Sequence, residues 1–286
     1  MIMSKLIVNA DDFGLHSSVN RGIIDGHRTG IITSTSLLAG GEAFTEAISM
    51  AKKNPKLGIG IHIALVGGLK PVCDPSEVSS LLTEQGRFPN TYVEFIKRLY
   101  TGKINFDELR KEIQSQVSII MNAGLNITHI DGHQHMHILP SVLPLVVEQA
   151  KQYGIKAIRI PQEMSGFINY SYNPVRFLGK VGLSSVADNA RSFIRSNNII
   201  STQFFWGMIN GGHINQKTLM GILKEVSHRS GTHELMIHPG NDDRALSSRY
   251  DWGYHWEDEL KAVCSHHTRL YINQHKIELI NYGDLA

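Results

Sequence analysis

At 286 residues the chain is long for one domain but within reach of a single α/β barrel, a fold that commonly takes roughly 250 residues. Apolar residues make up 42% and charged residues 19%, an ordinary globular balance. A net charge of +2, with Lys and Arg scattered rather than in runs, leaves no basic field for nucleic acid.

No stretch approaches the roughly 20 apolar residues that cross a bilayer, and the six-residue apolar start before two aspartates is too short for a secretory signal. Neither a membrane nor a nucleic acid is therefore an expected partner. Cys73 and Cys264 form no disulfide framework and no CxxC, so two free thiols and a cytoplasmic location are expected. Fifteen histidines are many for this length, and several sit in short motifs.

In chain order, Lys5 to Ala10 (KLIVNA) reads as a buried strand that exits into Asp-Asp-Phe-Gly. Ser17 or Ser18 then caps a helix to about Thr29, with Val19, Ile23 and Ile24 inward. Thr33 to Leu38 is β-rich, Glu42 to Lys53 helical, and Leu57 to Leu65 (LGIGIHIAL) a third strand. A long loop from Val66 to Pro89 precedes a helix over Phe106 to Asn122, which stops before Gly124. Thr128 to Ile130 is a strand running into DGHQHMH. Ser141 to Tyr153 is a helix and Ala157 to Ile160 a strand. Residues 161–198 read as an irregular excursion over the barrel mouth. Strands follow at Thr202 to Trp206, Glu234 to Ile237 and Lys276 to Ile280, with helices at Gln216 to His228 and Trp256 to Gln274. This strand–helix rhythm, without GxGxxG or a Walker pattern after the first strand, favours a (β/α) barrel over a doubly wound sheet. No linker or repeat interrupts it, so residues 1–286 are expected to form one domain.

In a parallel barrel the strand ends share one face, where active sites of this fold are built. Five segments send ionisable groups there: Asp11 and Asp12, His62, the Asp131–His137 run, Arg159 and His238. Adjacent aspartates after a strand often only cap a turn. Alternatively, one carboxylate holds a cation while its neighbour stays free as a base. A lone histidine in an apolar strand is more often a hydrogen-bonded core residue, but DGHQHMH shifts that balance toward cation binding. In an extended segment His133, His135 and His137 would share one side. Asp12, His62 and His133 would supply three ligands and leave positions open for water and substrate. Such ligands suit zinc, manganese, cobalt or iron, and magnesium less comfortably. His238, before Pro239, is a candidate proton donor. Arg159 would anchor Asp11 or Asp131, or simply form a salt bridge at a strand end. Asp131, His135 and Arg159 are expected to support the ligands or contact substrate. Trp206, Tyr250, Trp252, Tyr254 and Trp256 lie in or near late loops and could offer flat faces to a substrate, or equally serve as core or as contacts in a homodimer.

The sequence resembles the YdjC-like family of carbohydrate deacetylases, which includes chitooligosaccharide deacetylases. The resemblance rests on IVNADDFGLHSSVNRGI at 7–23, GIITSTSLLAGG at 30–41, GIGIHIAL at 58–65, THIDGHQHMHILP at 128–140, IKAIRIPQE at 155–163 and ELMIHPG at 234–240. These pieces run in family order across most of the chain, while roughly 165–225 matches poorly. The resemblance implies a deformed (β/α) barrel, related in layout to polysaccharide deacetylases. It also implies one divalent ion, magnesium or zinc with manganese or cobalt as alternatives, and removal of acetyl groups from N-acetylated sugars or oligosaccharides. Carried onto this chain it makes Asp12, His62 and His133 the metal ligands, Asp11 the general base and His238 the acid, although spacing leaves open which aspartate binds. Two rival readings are a hydrolase of another amide or a phosphoester, and a non-catalytic sugar- or metal-binding protein on the same scaffold. Clustered Arg and Lys for phosphate are absent apart from Arg159 and Arg244, which argues mildly against phosphoryl chemistry.

Overall fold

The computed structural model describes residues 3–163 and 186–285. Its strands are β1 (Ser4–Phe13), β2 (Ser34–Leu37), β3 (Gly58–Ile63), β4 (Ile127–Gly132), β5 (Ala157–Ile158), β6 (Phe204–Trp206), β7 (Gly231–Ile237) and β8 (Glu278–Leu279). All pairings are parallel, in the order β5-β4-β3-β2-β1-β7-β6. The two ends of that row meet through bridges Ala157↔Ile200 and Glu163↔Phe205, so the sheet curls into the expected deformed barrel. β7 covers one side of β1 over Ser4–Ala10, and β8 takes the start of the other side before β2 takes over at Asn9.

Burial explains why β1 reads as an unbroken apolar run rather than an alternating one. Leu6, Ile7, Val8 and Ala10 are all fully buried, as expected of a strand inside a parallel sheet with helices outside. The strand runs further than the sequence suggests. Asp11 and Asp12 belong to β1 itself, not to an exit loop. The register against β2 shifts between Ala10 and Phe13, and Asp12 takes a positive φ of 67°. A bulge of this kind re-aims side chains at a barrel rim. Here it breaks the strict alternation that would send two adjacent carboxylates to opposite faces.

The outer helices are α1 (Ser17–Thr29), α2 (Phe44–Lys52), α3 (Tyr92–Tyr100), α4 (Phe106–Asn122), α5 (Leu143–Tyr153), α6 over residues 186–196, α7 (Gln216–Ser227), α8 (Asp243–Ser247), α9 (Trp256–Cys264) and α10 (His266–Gln274). Several differ from the sequence reading. α1 is capped by His16, whose Nδ1 accepts from Ser18 N, rather than by a serine. The segment Trp256–Gln274 is two helices, because Ser265 turns extended and its hydroxyl accepts from His267 N to start the second. α3 went unread. Its signature was present: Thr91 and Glu94 stand three apart, Thr91 Oγ1 accepts from Glu94 N, and Phe95 and Leu99 are buried.

The loop from Val66 is also ordered. Buried Glu112 on α4 accepts the backbone N–H groups of Val72 and Cys73, at 2.9 and 3.0 Å. Of the stretch expected to be irregular, 164–185 lies outside the described residues and 186–196 is helical. Both cysteines are free thiols. Among the described residues, no helix is long and apolar enough to cross a membrane.

Candidate active site

The five segments flagged in the sequence converge at the C-terminal ends of the strands. His62 and Asp131 pair in register across β3 and β4, which places their side chains together by construction. Asp131 Oδ1 lies 2.7 Å from His62 Nδ1, so the other nitrogen, Nε2, faces the cleft. There it stands 3.3 Å from Asp12 Oδ1 and 3.4 Å from His133 Nδ1, while His133 Nδ1 is 3.1 Å from Asp12 Oδ1. Three donor atoms from three elements thus form a nearly equilateral triangle.

That triangle fits a cation. Donors bound to one ion at about 2.0–2.2 Å, at angles of roughly 90–110°, stand about 2.8–3.6 Å apart. The second oxygen of Asp12 is buried without a hydrogen-bond partner, an orphan acceptor of the kind that calls for explanation. Charge points the same way. Arg159 pairs with Asp11, Asp131 and Glu234, whereas Asp12 faces only the two imidazoles, so buried carboxylates outnumber the one guanidinium. Burial alone would lower the pKa of His62, yet Asp131 and Asp12 overcome it and raise it to about 10. The site therefore draws positive charge to the point where the triangle closes. Burial pushes the Asp12 carboxyl up, but His133 and His62 outweigh it and hold Asp12 well below the usual carboxylate range. The Asp131–His62 contact has the form in which a carboxylate orients a metal-binding imidazole from behind.

A second group, Asp11, His62 and Asp131, also clusters closely enough for a cation, but Arg159 already occupies it. Its Nη1 and Nη2 donate to the two oxygens of Asp11 at 2.7 Å each, and Nη2 stands 3.0 Å from Asp131 Oδ2. The sequence offered Asp11 or Asp131 as the partner of Arg159, and the arginine takes both. It also takes Glu234, through Nε at 2.7 Å, which sequence reasoning missed. Burial pushes the Glu234 carboxyl up to about 7 against the pull of Arg159.

The DGHQHMH segment is not extended. It forms a 3-10 turn over His133–Ile138, with Gln134 and His135 at positive φ, so its three imidazoles diverge. His133 reaches the triangle. His137 turns inward, its Nε2 2.9 Å from the Arg159 carbonyl, and burial lowers its pKa to about 4. His135 lies edge-on to Phe205, with ring centroids 5.7 Å apart, and lines the cleft.

His238 follows β7 and also lines the cleft; burial lowers its pKa. Beneath it sits Glu259 of α9, another residue unread in the sequence, whose carboxylate accepts the backbone N–H groups of His238 and, at 2.9 Å, of Ile214. The Glu259 Oε2 to His238 Nδ1 distance is 3.9 Å.

The cleft holds about 660 Å³. The aromatic candidates separate. Trp206 and Trp256 are core, at 0% and 1% exposure, whereas Trp252 and Tyr254 line the cleft. Trp252 packs 4.8 Å from the His133 ring and Tyr254 4.7 Å from the His238 ring. On the far side of His133 the backbone comes very close at Gly67, φ +84°. A Cβ there would stand 2.6 Å from His133 Nε2.

The chain is similar to known proteins over nearly its whole length. The YdjC-like protein family matches residues 5–274 of the chain. A carbohydrate deacetylase of Brevibacillus brevis is 31% identical over 282 residues, spanning 99% of this chain and 100% of that protein. One from Clostridium beijerinckii is 30% identical, spanning 98% and 100%. Among solved structures, an Enterococcus faecalis protein provisionally described as a cellobiose-phosphate cleavage protein superposes with a TM-score of 0.79 at 26% identity, covering 99% of each chain.

Proposed function

The chain belongs to the YdjC-like family, and from that premise we propose that it is a metal-dependent hydrolase that removes acetyl groups from N-acetylated sugars or oligosaccharides. The observation that carries the reading is the donor triangle of Asp12, His62 and His133 at 3.1–3.4 Å, at a cleft that Asp11 and His238 also line. The relatives named as carbohydrate deacetylases support the substrate class.

In this reading Asp12, His62 and His133 hold one divalent ion. Two imidazoles and a carboxylate suit zinc, cobalt or manganese most directly, with magnesium as a harder alternative. Asp12 is the better ligand of the aspartate pair, since both Asp11 oxygens are already held by Arg159. A bound divalent ion polarises an amide carbonyl and makes water acidic enough to attack near neutral pH.

The remaining work falls to the chain's own side chains. Asp11, fixed by Arg159 and by Asn9 Nδ2 at 2.9 Å, receives the proton released as water adds to the acetamide carbon. His238 delivers a proton to the sugar nitrogen as the C–N bond breaks. The products are acetate and a free amine, and no electrons change hands. Trp252 and Tyr254 offer flat apolar faces of the kind that stack on sugar rings. Asp131 orients His62 from behind.

Acetate release from a panel of N-acetylated monosaccharides and oligosaccharides, with Zn, Co, Mn and Mg supplied in turn, tests the claim. Turnover with at least one pair is expected, and silence across the whole panel would reject the deacetylase reading. The variants Asp11→Asn and His238→Ala should keep their metal and lose turnover. If both remain active, the roles given to those residues are wrong.

A further inference from the structure

Two buried residues below the donor triangle take no part in the steps above. Glu234 lies on β7 and Tyr282 in the last 3-10 turn, at 0% and 1% exposure. The Tyr282 hydroxyl donates to Glu234 Oε2, and Glu234 Oε1 accepts from Arg159 Nε at 2.7 Å. Arg159 then grips both oxygens of Asp11 with its opposite edge. The Tyr282 ring also stacks on His129 at 3.8 Å and 13°, and His129 Nε2 stands 3.7 Å from Asp131 Oδ2. The C-terminal turn thus touches the charged network from two directions.

We infer that Glu234 and Tyr282 are positioning residues for the reaction: through the Arg159 guanidinium they fix the orientation of Asp11. The reason is geometric. A guanidinium is planar with its donors in a rigid fork, so fixing the Nε edge fixes the plane in which the two Nη groups present themselves. Asp11 Oδ1 accepts from Arg159 Nη2 and Asn9 Nδ2, while Oδ2 accepts from Arg159 Nη1. Oδ2 therefore keeps capacity for a proton, and its direction follows the guanidinium. Without Glu234, the hydrogen-bond partners left to the guanidinium among the described residues are Asp11 and Asp131 at the rim itself, and it could rotate with them. Small misplacements of a reacting group cost rate heavily, and partners behind a site typically carry about 10- to 100-fold in activity or affinity.

The inference rests on the proposed role of Asp11 as base, and the test separates the two. Tyr282→Phe removes one hydroxyl and keeps the ring, Glu234→Ala removes the acceptor, and Glu234→Gln restores one. Metal-loaded protein is assayed for kcat and KM on the best N-acetylated substrate, for metal stoichiometry, and by NMR for exchange of the Arg159 Nε–H proton. Expected are a fall in kcat of about tenfold in Tyr282→Phe and about 10- to 100-fold in Glu234→Ala, and substantial recovery in Glu234→Gln. KM and metal content should be unchanged, and Nε–H exchange should be faster in the two damaged variants. Wild-type kcat in folded Tyr282→Phe and Glu234→Ala overturns the inference. If Glu234→Ala does not fold, Tyr282→Phe alone decides. If the wild type releases no acetate from any sugar, the deacetylase reading fails instead. The positioning claim then stands on faster Nε–H exchange in Tyr282→Phe and falls if exchange is unchanged.

Discussion

Replacing Arg159 by Met should destabilise the protein strongly, and by an amount that depends on pH. The guanidinium is fully buried and makes four contacts at 2.7–3.0 Å, to Asp11, Asp131 and Glu234. Hydrogen bonds to charged groups are each worth about 1.5–3 kcal/mol, so a plain sum would approach roughly 6–12 kcal/mol. That sum is too large, because the variant no longer has to desolvate a cation and its stranded carboxylates can take up protons. Breaking a buried pair by removing one partner costs about 3–5 kcal/mol, the figure expected here near pH 8. The sign follows from the carboxylates left behind. Burial pushes Asp131 up, but Arg159 and His62 outweigh it and hold Asp131 well below the usual range. Glu234 already stands at about 7. Without the arginine both rise. A carboxyl whose folded pKa exceeds its unfolded value has its stabilising contribution in full at low pH and loses it as pH climbs through the folded pKa. The deficit should therefore be largest near pH 8 and shrink toward pH 5. Urea unfolding of metal-free protein at both pH values, followed by tryptophan fluorescence, measures it. A deficit under about 1 kcal/mol at pH 8, or one equal at the two pH values, would refute the reasoning.

Three further outcomes are expected. Asp131→Asn, which weakens the carboxylate behind His62, should lower divalent-metal affinity about 10- to 100-fold, measured by competition with a chromophoric chelator; unchanged affinity removes Asp131 from that role. Gly67→Ala forces a Cβ to 2.6 Å from His133 Nε2 at a φ of +84°, so metal affinity and stability should both fall, the latter by at least about 1 kcal/mol; a variant matching wild type in both would show that the contact is slack. Burial raises Glu259 to about 7, against the backbone N–H groups of His238 and Ile214, so its stabilising contribution is complete below pH 4.5 and lost as pH rises through about 7. Over that window the wild type should lose about 3 kcal/mol relative to Glu259→Gln, and denaturant curves whose difference does not change with pH would contradict it.

Much of this protein was legible without coordinates because its signals are local. Buried parallel strands announce themselves as short apolar runs, and strand ends in such a sheet must share a face. Asp11, Asp12, His62, His133, Arg159 and His238 could therefore be assigned to one rim from their positions at those ends. What stayed hidden depended on long-range pairing or on local backbone twist. Glu234 is a lone acid in a strand and Glu259 one of three consecutive acids opening a helix, and only packing against Arg159 and His238 distinguishes them from surface charges. Tyr282 matters because the end of the chain returns beneath the barrel. The divergence of His133, His135 and His137 follows from positive φ at Gln134 and His135, which an alternation rule cannot anticipate. The bulge at Asp12 is of the same kind. The sequence alone determined which groups reach the rim. Tertiary structure adds what spacing could not: one arginine, just past β5, closes on Asp11 and leaves Asp12 facing two imidazoles, which supports the proposed assignment of Asp12 as the ligand.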